Sequence, residues 1–178
     1  MTKQEYNEQV AKTLEFFEKA NIVLTEKEKE SIEVIDFNKG NVKEFGLQLL
    51  VYVNTDRVCA KEMVLLPGQT CAEHWHIPTS GQEGKEETFR CRWGEVYLYV
   101  EGEKNTDKIK AKLPKSDVSV FHEVILKPGE QYTIMPEVKH WFQGGPEGAV
   151  ISEFSTRSTD ETDLFTDKTL IRNGEIKE

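Results

Sequence analysis

The chain has 178 residues, a length typical of a single domain. Its 23 basic and 32 acidic residues give a net charge of −9, which argues against nucleic acid and against an anionic membrane as partners, because both favour a basic face. The three cysteines have no Cys-x-x-Cys spacing, and the sequence has neither a signal-peptide pattern nor a membrane-spanning apolar run, so we expect a cytoplasmic protein.

The first part of the chain is predicted to be helical. Thr2 with Glu5, and Thr25 with Glu28, have the spacing of a helix capping box. Apolar residues after the first of these boxes recur at helical intervals. Residues 1–42 are therefore predicted to form a helical extension.

From residue 43 onward, short apolar and aromatic segments alternate with turn residues. The predicted strands are Phe45–Val53, Val58–Leu66, Cys71–His76, Glu87–Val100, Val118–Leu126, Gln131–Met135, His140–Gln143 and Ala149–Phe154. Many short strands at this spacing are typical of an antiparallel sandwich or barrel. We therefore predict an all-β domain over residues 43–168 with the helices packed on its outside, followed by a C-terminal tail over residues 169–178.

Four residues of this β region have the chemistry of a metal site. His74 and His76 lie two apart on one predicted strand, so both side chains point to the same face. Glu87 and His140 lie on later predicted strands. Imidazoles combined with one carboxylate bind divalent first-row ions once the strands come together.

The residues around these ligands resemble the two motifs of the cupin superfamily. They are Gly68, His74, His76, Glu87 and Gly94 in the first motif and Gly129, Pro136 and His140 in the second. In that superfamily the three histidines and the glutamate bind one metal ion inside a small barrel. The resemblance therefore implies a cupin-type jelly-roll barrel with these four residues as metal ligands. Ten residues separate His76 from Glu87, more than the usual motif has, so we expect this loop to bulge out and to form one wall of the pocket.

Lys85, Glu153 and Asp163 are the candidates for proton transfer beside the ion. Lys85 lies two residues before Glu87 on the same predicted face, and we expect burial near a cation to push its amine toward the neutral form. A divalent ion with two adjacent open positions can bind the neighbouring oxygens of a hydroxyaldehyde as a Lewis acid. The same geometry serves an Fe(II) dioxygenase, and a non-catalytic sugar-binding module also remains open.

Longer strings of the sequence resemble the cupin-type D-lyxose isomerases between Cys59 and Asp167. They are KEETFRCRWGEVYLY from Lys85, HWFQ from His140, SEFS from Ser152, and TDE from Thr159 running into DLFTD from Asp163. The resemblance implies a homodimeric, Mn(II)-dependent isomerase that interconverts D-lyxose and D-xylulose, with D-mannose and D-fructose as a second pair. It also implies that Glu153, Lys85 and Asp163 are the catalytic pocket residues, with Glu153 and Lys85 as the acid/base pair.

The charge pattern favours a small neutral monosaccharide over a sugar phosphate. Phosphate recognition usually needs arginine, lysine or a helix N-terminus. Arg90 and Arg92 lie on the strand face opposite Glu87, so they are predicted to point away from the metal. A phosphosugar isomerase therefore stays an alternative that the sequence disfavours.

Overall fold

The computed structural model describes residues 1–172 and 174–177. Two helices come first, α1 (Lys3–Lys19) and α2 (Glu26–Glu30). The strands are β1 (Glu33–Ile35), β2 (Leu47–Asn54), β3 (Cys59–Leu65), β4 (Thr70–Trp75), β5 (Glu87–Val100), β6 (His122–Leu126), β7 (Gln131–Ile134), β8 (His140–Ser155) and β9 (Leu164–Phe165). A short 3-10 helix over Asp160–Thr162 separates β8 from β9. The all-β prediction is confirmed.

The nine strands form one curled antiparallel sheet whose centre is β8. Along one path the order is β1-β2-β3-β8-β4-β9, and β5 pairs with β8, β6 and β7. The curl encloses an apolar core on the inner face. It includes Leu49, Met63, Leu65, Phe89, Leu98 and Phe142. This curvature brings residues from distant strands to one interior, which is where the candidate ligands lie.

Helix α1 packs on the outer face of the sheet, as predicted. Both capping boxes are present, so the backbone N–H groups at the start of each helix have side-chain acceptors. Phe16 and Phe17 of α1 are buried against Val64 and Val150 of the sheet. Burying two phenylalanines stabilises this contact by several kcal/mol, at ~1.5–3 kcal/mol each. The predicted packing of helix on barrel is therefore confirmed.

A β-bulge in β5 divides the strand into two parts with opposite orientation. Glu87, Phe89 and Cys91 are buried inside, as alternation predicts. The register with β8 shifts between Cys91 and Trp93, and Trp93 turns to the outside, where its ring lies 5.4 Å from that of Phe16. Strict alternation from Glu87 would place Trp93 on the inner face. It fails here, because a bulge adds one residue and inverts the alternation after it.

The two predicted strands at the end of the domain are joined into one. The structure has a single strand β8, in which Gly144 pairs with Val96 and Ala149 pairs with Gly94. Residues 145–148 therefore protrude between two stretches that both pair with β5. The turn residues of this segment are present in the sequence, but they produce a bulge within one strand.

Segments at both ends of the chain contact the sheet. Within residues 1–42, β1 pairs with β2, and within residues 169–178 the side chain of Leu170 is buried in the main core. The division of the chain into residues 1–42, 43–168 and 169–178 stays a prediction. In the described part of the chain, we find no helix with the length and apolar character required to cross a membrane.

Candidate functional site

The four predicted ligands meet in the interior of the curled sheet. His74 in β4 is directly opposite His140 in β8, and Glu87 is the first residue of β5. His76 follows the end of β4. All four side chains are buried, and one donor atom from each lies within 4.8 Å of the others. Strand pairing thus brings together residues that are far apart along the chain.

Hydrogen bonds to the backbone fix the orientation of two imidazoles. His74 Nδ1 donates to Ala72 O at 2.7 Å, and His140 Nδ1 donates to Val138 O at 3.0 Å. Because a carbonyl oxygen can only accept, each Nδ1 carries the hydrogen and each Nε2 keeps its lone pair. This is the tautomer that a metal ligand requires.

A carboxylate orients the third imidazole. His76 Nδ1 lies 2.6 Å from Asp163 Oδ1, while its Nε2 lies 3.1 Å from Glu87 Oε1. Burial and the Lys85 charge lower the pKa of His76, but Glu87 and Asp163 outweigh them and raise it to about 9. A metal ion must therefore displace a proton from His76, and its binding is expected to release that proton.

The four side chains fit a divalent ion. His140 Nε2 lies 2.9 Å from Glu87 Oε1 yet has no hydrogen bond to any described residue, so a buried nitrogen is left without a partner. Burial, helped by the positive charge of His76, lowers the pKa of His74 well below its usual 6.5, which keeps this imidazole neutral. Three nitrogens and one carboxylate oxygen are a donor set that Mn, Fe, Co, Ni and Zn all accept.

Lys85 connects the ligand cluster with the two other predicted pocket carboxylates. Its Nζ lies 2.7 Å from Glu87 Oε2 and 3.1 Å from Glu153 Oε1. Burial opposes the charge, but the carboxylates around the ammonium outweigh burial and raise the pKa of Lys85 well above its usual 10.5. The expectation of a neutral amine took account of burial and the cation but did not include Asp160, which lies 3.0 Å from Nζ and favours the charged form.

Three charged residues at this site were missed by the sequence analysis. Asp160 lies 3.0 Å from Arg172, and it also accepts a hydrogen bond from Lys61, whose Nζ is 3.5 Å from Glu153. Lys61 could have been identified from the sequence. It shares the inward face of β3 with Cys59 and Met63, where a charged residue needs a buried partner. Asp160 begins the short 3-10 helix and Arg172 lies after the last strand, and neither position gives a comparable signal.

A small cavity lies beside the four candidate ligands, with about 20 Å³ open to the centre of a water molecule. Its apolar wall includes Phe37, Leu47, Leu49, Met63, Phe89 and Phe142. Its charged wall consists of Lys85, Glu87, Glu153, Asp160, Asp163 and Arg172. All seven predicted site residues therefore lie at or beside one cavity. The buried Oδ2 atom of Asp163 has no hydrogen bond to any residue within the described ranges, so it can accept one from a ligand.

The loop between His76 and Glu87 contributes one side chain, Lys85, to the cavity lining and otherwise does not form the expected wall. Its tip pairs Thr79 with Gln82, and the chain then returns so that Gly84 contacts the carbonyl of His76. The remaining described wall comes from Asp160, Asp163, Phe165 and Arg172, further along the chain. The rest of the loop thus affects the site through its contact with His76.

Comparison with known protein families agrees with this geometry. A family model described as D-lyxose isomerase matches residues 18–178. The chain belongs to the D-lyxose isomerase family. It is 56% identical over 181 residues to the D-lyxose/D-mannose isomerase of Thermosediminibacter oceani, covering 100% of this chain and 99% of that protein. It is 58% identical over 165 residues to the D-lyxose ketol-isomerase of Cohnella laeviribosi, covering 92% and 91%.

Solved structures of other sugar isomerases have the same fold as this chain. The chain superposes on the ligand-free L-ribose isomerase of Cellulomonas parahominis with a TM-score of 0.75 at 15% identity, covering 100% of this chain and 98% of that one. It superposes on the L-ribose isomerase of Geodermatophilus obscurus with a TM-score of 0.72 at 15% identity, covering 95% and 94%. The predicted cupin-type barrel with outer helices is confirmed as the fold class.

Proposed function

We propose that this member of the D-lyxose isomerase family interconverts D-lyxose with D-xylulose, and D-mannose with D-fructose, in a metal-dependent reaction. The observation that carries the proposal is the cluster of three histidines and Glu87 that shares a cavity with the Lys85–Glu153 pair. A metal centre without such a pair would leave proton transfer without a group to perform it. The names of the relatives from Thermosediminibacter oceani and Cohnella laeviribosi support the sugar assignment.

His74, His76, Glu87 and His140 would hold the ion, and we propose Mn(II) as the ion bound in the cell. A divalent ion bound there supplies a Lewis acid that stabilises negative charge on two neighbouring sugar oxygens. The proposal for manganese rests on the family resemblance, because the donor set suits several first-row ions. The ligand assignment rests on the convergence of the four donor atoms in a buried cluster.

Glu153 is the proposed base. Its carboxylate would take the proton from C2 of the open-chain aldose and return it to C1, so that the sugar passes through a cis-enediol. Lys85 is held as an ammonium, 3.1 Å from Glu153, and can donate hydrogen bonds to the oxygens as their charge changes. Asp163 would orient His76 with Oδ1 and accept a sugar hydroxyl with Oδ2. Together these groups account for proton transfer and for sugar binding.

A neutral sugar suits the charges of the cavity better than a sugar phosphate does. Arg90 and Arg92 bond to Gln131 and Ser152 on the outer face of the sheet. Within the described lining of the cavity, Lys85 and Arg172 each have a carboxylate partner. A phosphate would therefore have to compete with carboxylates that are already in contact.

The proposal includes a homodimer in the cytoplasm. The homodimer follows from the family resemblance, and light scattering after gel filtration tests it, since a monomeric mass would contradict it. The location is supported by the three cysteines, which are buried free thiols: Cys59, Cys71 and Cys91. Free thiols are typical of a reducing compartment.

One experiment tests the reaction and the metal together. The protein is stripped with a chelator, restored with single divalent ions, and supplied with D-lyxose in deuterium oxide. We expect Mn(II) to restore formation of D-xylulose and solvent deuterium to appear at C1, as an enediol route requires. Absence of ketose with every ion would contradict the isomerase assignment. Oxygen consumption with Fe(II) alone would instead indicate a dioxygenase, and sugar binding without turnover would indicate a binding module.

A further inference from the structure

Arg172 reaches the cavity from a segment that lies after the last strand. The segment is fixed on both sides of this residue: Leu170 is buried in the core, and Lys177 forms backbone hydrogen bonds with Met1 and Lys3. Between these points, the amide of Ile171 donates to Phe37 O at 3.3 Å. The backbone that carries Arg172 is therefore held against the N-terminal part of the chain.

The Arg172 guanidinium contacts two carboxylates of the cavity wall. One terminal nitrogen lies 3.0 Å from Asp160 Oδ2, and the other lies 3.7 Å from Asp163 Oδ2. The Arg172 side chain is 15% exposed, so both contacts are shielded from water. A planar guanidinium presents its N–H groups in a fixed fork, which can hold two carboxylates at a defined separation.

Each of these carboxylates contacts a group of the proposed reaction. Asp163 uses its other oxygen, Oδ1, to orient His76 at 2.6 Å. Asp160 uses Oδ1 to accept from Lys85 at 3.0 Å. Arg172 therefore contacts both the aspartate that orients the proposed metal ligand His76 and the aspartate that bonds to Lys85.

We propose that Arg172 is a positioning residue that aligns Asp163 with His76 and Asp160 with Lys85. It acts through these two aspartates and does not itself need to touch the substrate. The part that concerns His76 is independent of the identity of the sugar. The part that concerns Lys85 rests on the proposed function.

Arg172 also contributes to the wall that separates the cavity from an outer depression. Leu49, Asp160 and Arg172 line both spaces. A side chain that merely filled this wall could be replaced by an apolar one of similar length. Positioning, in contrast, requires the charge and the fork of the guanidinium.

Arg172→Met separates these two roles, with Arg157→Met as the control, because Arg157 pairs with Asp56 at the surface. Co(II) is titrated into the stripped protein and its visible absorption spectrum is recorded. We expect Arg172→Met to change the spectrum and to raise the Co(II) Kd by about tenfold or more, the effect typical of losing support for a metal-bound histidine. The control should match the parent protein. An unchanged spectrum and Kd in Arg172→Met would overturn the alignment of His76.

A double variant tests whether Arg172 affects metal binding through Asp163. In Asp163→Asn, addition of Arg172→Met should change the Co(II) Kd no further, because the route through Asp163 is already broken. Independent, additive losses would contradict that route. If Arg172→Met does not fold by circular dichroism, Arg172→Lys, which keeps the charge without the fork, replaces it in the same comparison.

Steady-state kinetics test the second part of the proposal, the alignment of Asp160 with Lys85. We expect Arg172→Ala to lower kcat by about tenfold with less change in KM, and millimolar guanidinium to restore part of kcat where methylammonium does not. Equal kcat in Arg172→Ala and the parent, or recovery with methylammonium alone, would overturn the alignment of Lys85. Isomerase activity in the parent protein separates this result from a failure of the proposed function, because a parent without activity would contradict the latter alone.

Discussion

Ser119 donates both its amide and its hydroxyl to the carboxylate of Glu73, each at 2.6 Å. Glu73 is fully buried and precedes the proposed ligand His74. Its oxygens also accept from the amide of Val120 and the hydroxyl of Thr166. This carboxylate therefore ties the segment before β6 and the segment after β9 to the strand that carries His74.

Replacing Glu73 with glutamine is expected to destabilise the protein by about 3 kcal/mol. The amide nitrogen cannot accept the hydrogen bonds that a carboxylate oxygen accepts, and a bond to a buried charged group contributes roughly 1.5–3 kcal/mol. Urea unfolding of the metal-free protein measures the loss. Glu103→Gln, at an exposed position, is the control. Equal unfolding midpoints for the two variants would contradict the assigned role of Glu73.

Replacing Glu153 with glutamine is expected to reduce kcat by roughly 10²–10⁴-fold, the contribution typical of a general base. Bound metal, measured by atomic absorption, should stay unchanged, since Glu153 is outside the ligand cluster. Glu62→Gln is a matched control, because Glu62 lies on the adjacent strand and pairs in register with Ser152. Loss of metal in Glu153→Gln would identify Glu153 as a ligand.

Replacing His140 with alanine is expected to raise the Kd for the metal by more than ~100-fold. Loss of a hydrogen bond that supports a ligand costs up to that factor, and here the proposed ligand itself is removed. Isothermal titration of the stripped protein with Mn(II) gives the affinity. His122→Ala is the control, since His122 bonds to Glu103 O, away from the ligand cluster. Parent-like Mn(II) affinity in His140→Ala would exclude His140 from the ligand set.

Stability is expected to fall above pH 10 because of Tyr99. Burial, together with its hydrogen bond to Glu123, raises the pKa of Tyr99 above its usual 10.0 in the folded protein. The unfolded chain then loses this proton first, so the contribution of Tyr99 is complete below pH 10 and decreases as the pH rises further. Urea midpoints between pH 8 and 11 should fall less steeply in Tyr99→Phe. Identical slopes would show that Tyr99 does not cause the loss.

Replacing Gly84 with alanine is expected to lower metal affinity and stability together. An added Cβ would lie 2.1 Å from the carbonyl oxygen of His76, so the loop or the ligand must move. Gly40→Ala gives the scale for backbone strain alone, because Gly40 has φ +69° and no atom within 4 Å of an added Cβ; it should cost about 1–2 kcal/mol. Mn(II) affinity unchanged in Gly84→Ala would contradict the link to His76.

The ligand cluster could be predicted because it depends on local rules. Two histidines at positions i and i+2 of a strand share a face, and capping boxes identify the helices from four consecutive residues. In the structure His74 and His76 meet, although His76 lies just beyond the end of β4, and α1 and α2 begin at their predicted caps. The family resemblance then supplied His140, whose position opposite His74 depends on strand pairing.

The remaining parts of the site depend on tertiary structure. The Trp93 reversal follows from one extra residue in β5, which the sequence pattern does not reveal. The charged state of Lys85 depends on Asp160, and Asp160 in turn depends on Lys61 and Arg172. These residues come from four separate segments, so their contact becomes apparent only in the folded chain.

Because residues 145–148 protrude within β8, the number of residues between His140 and Glu153 can change without a change in the distance between them. Because the stretches on each side pair independently with β5, extra residues between the exposed Pro146 and Glu147 would lengthen the protrusion without moving His140 relative to Glu153. That position is therefore a natural place to graft an epitope or a fluorescent label into the enzyme. It also means that a search for relatives with a fixed number of residues between these two groups would overlook proteins with the same centre.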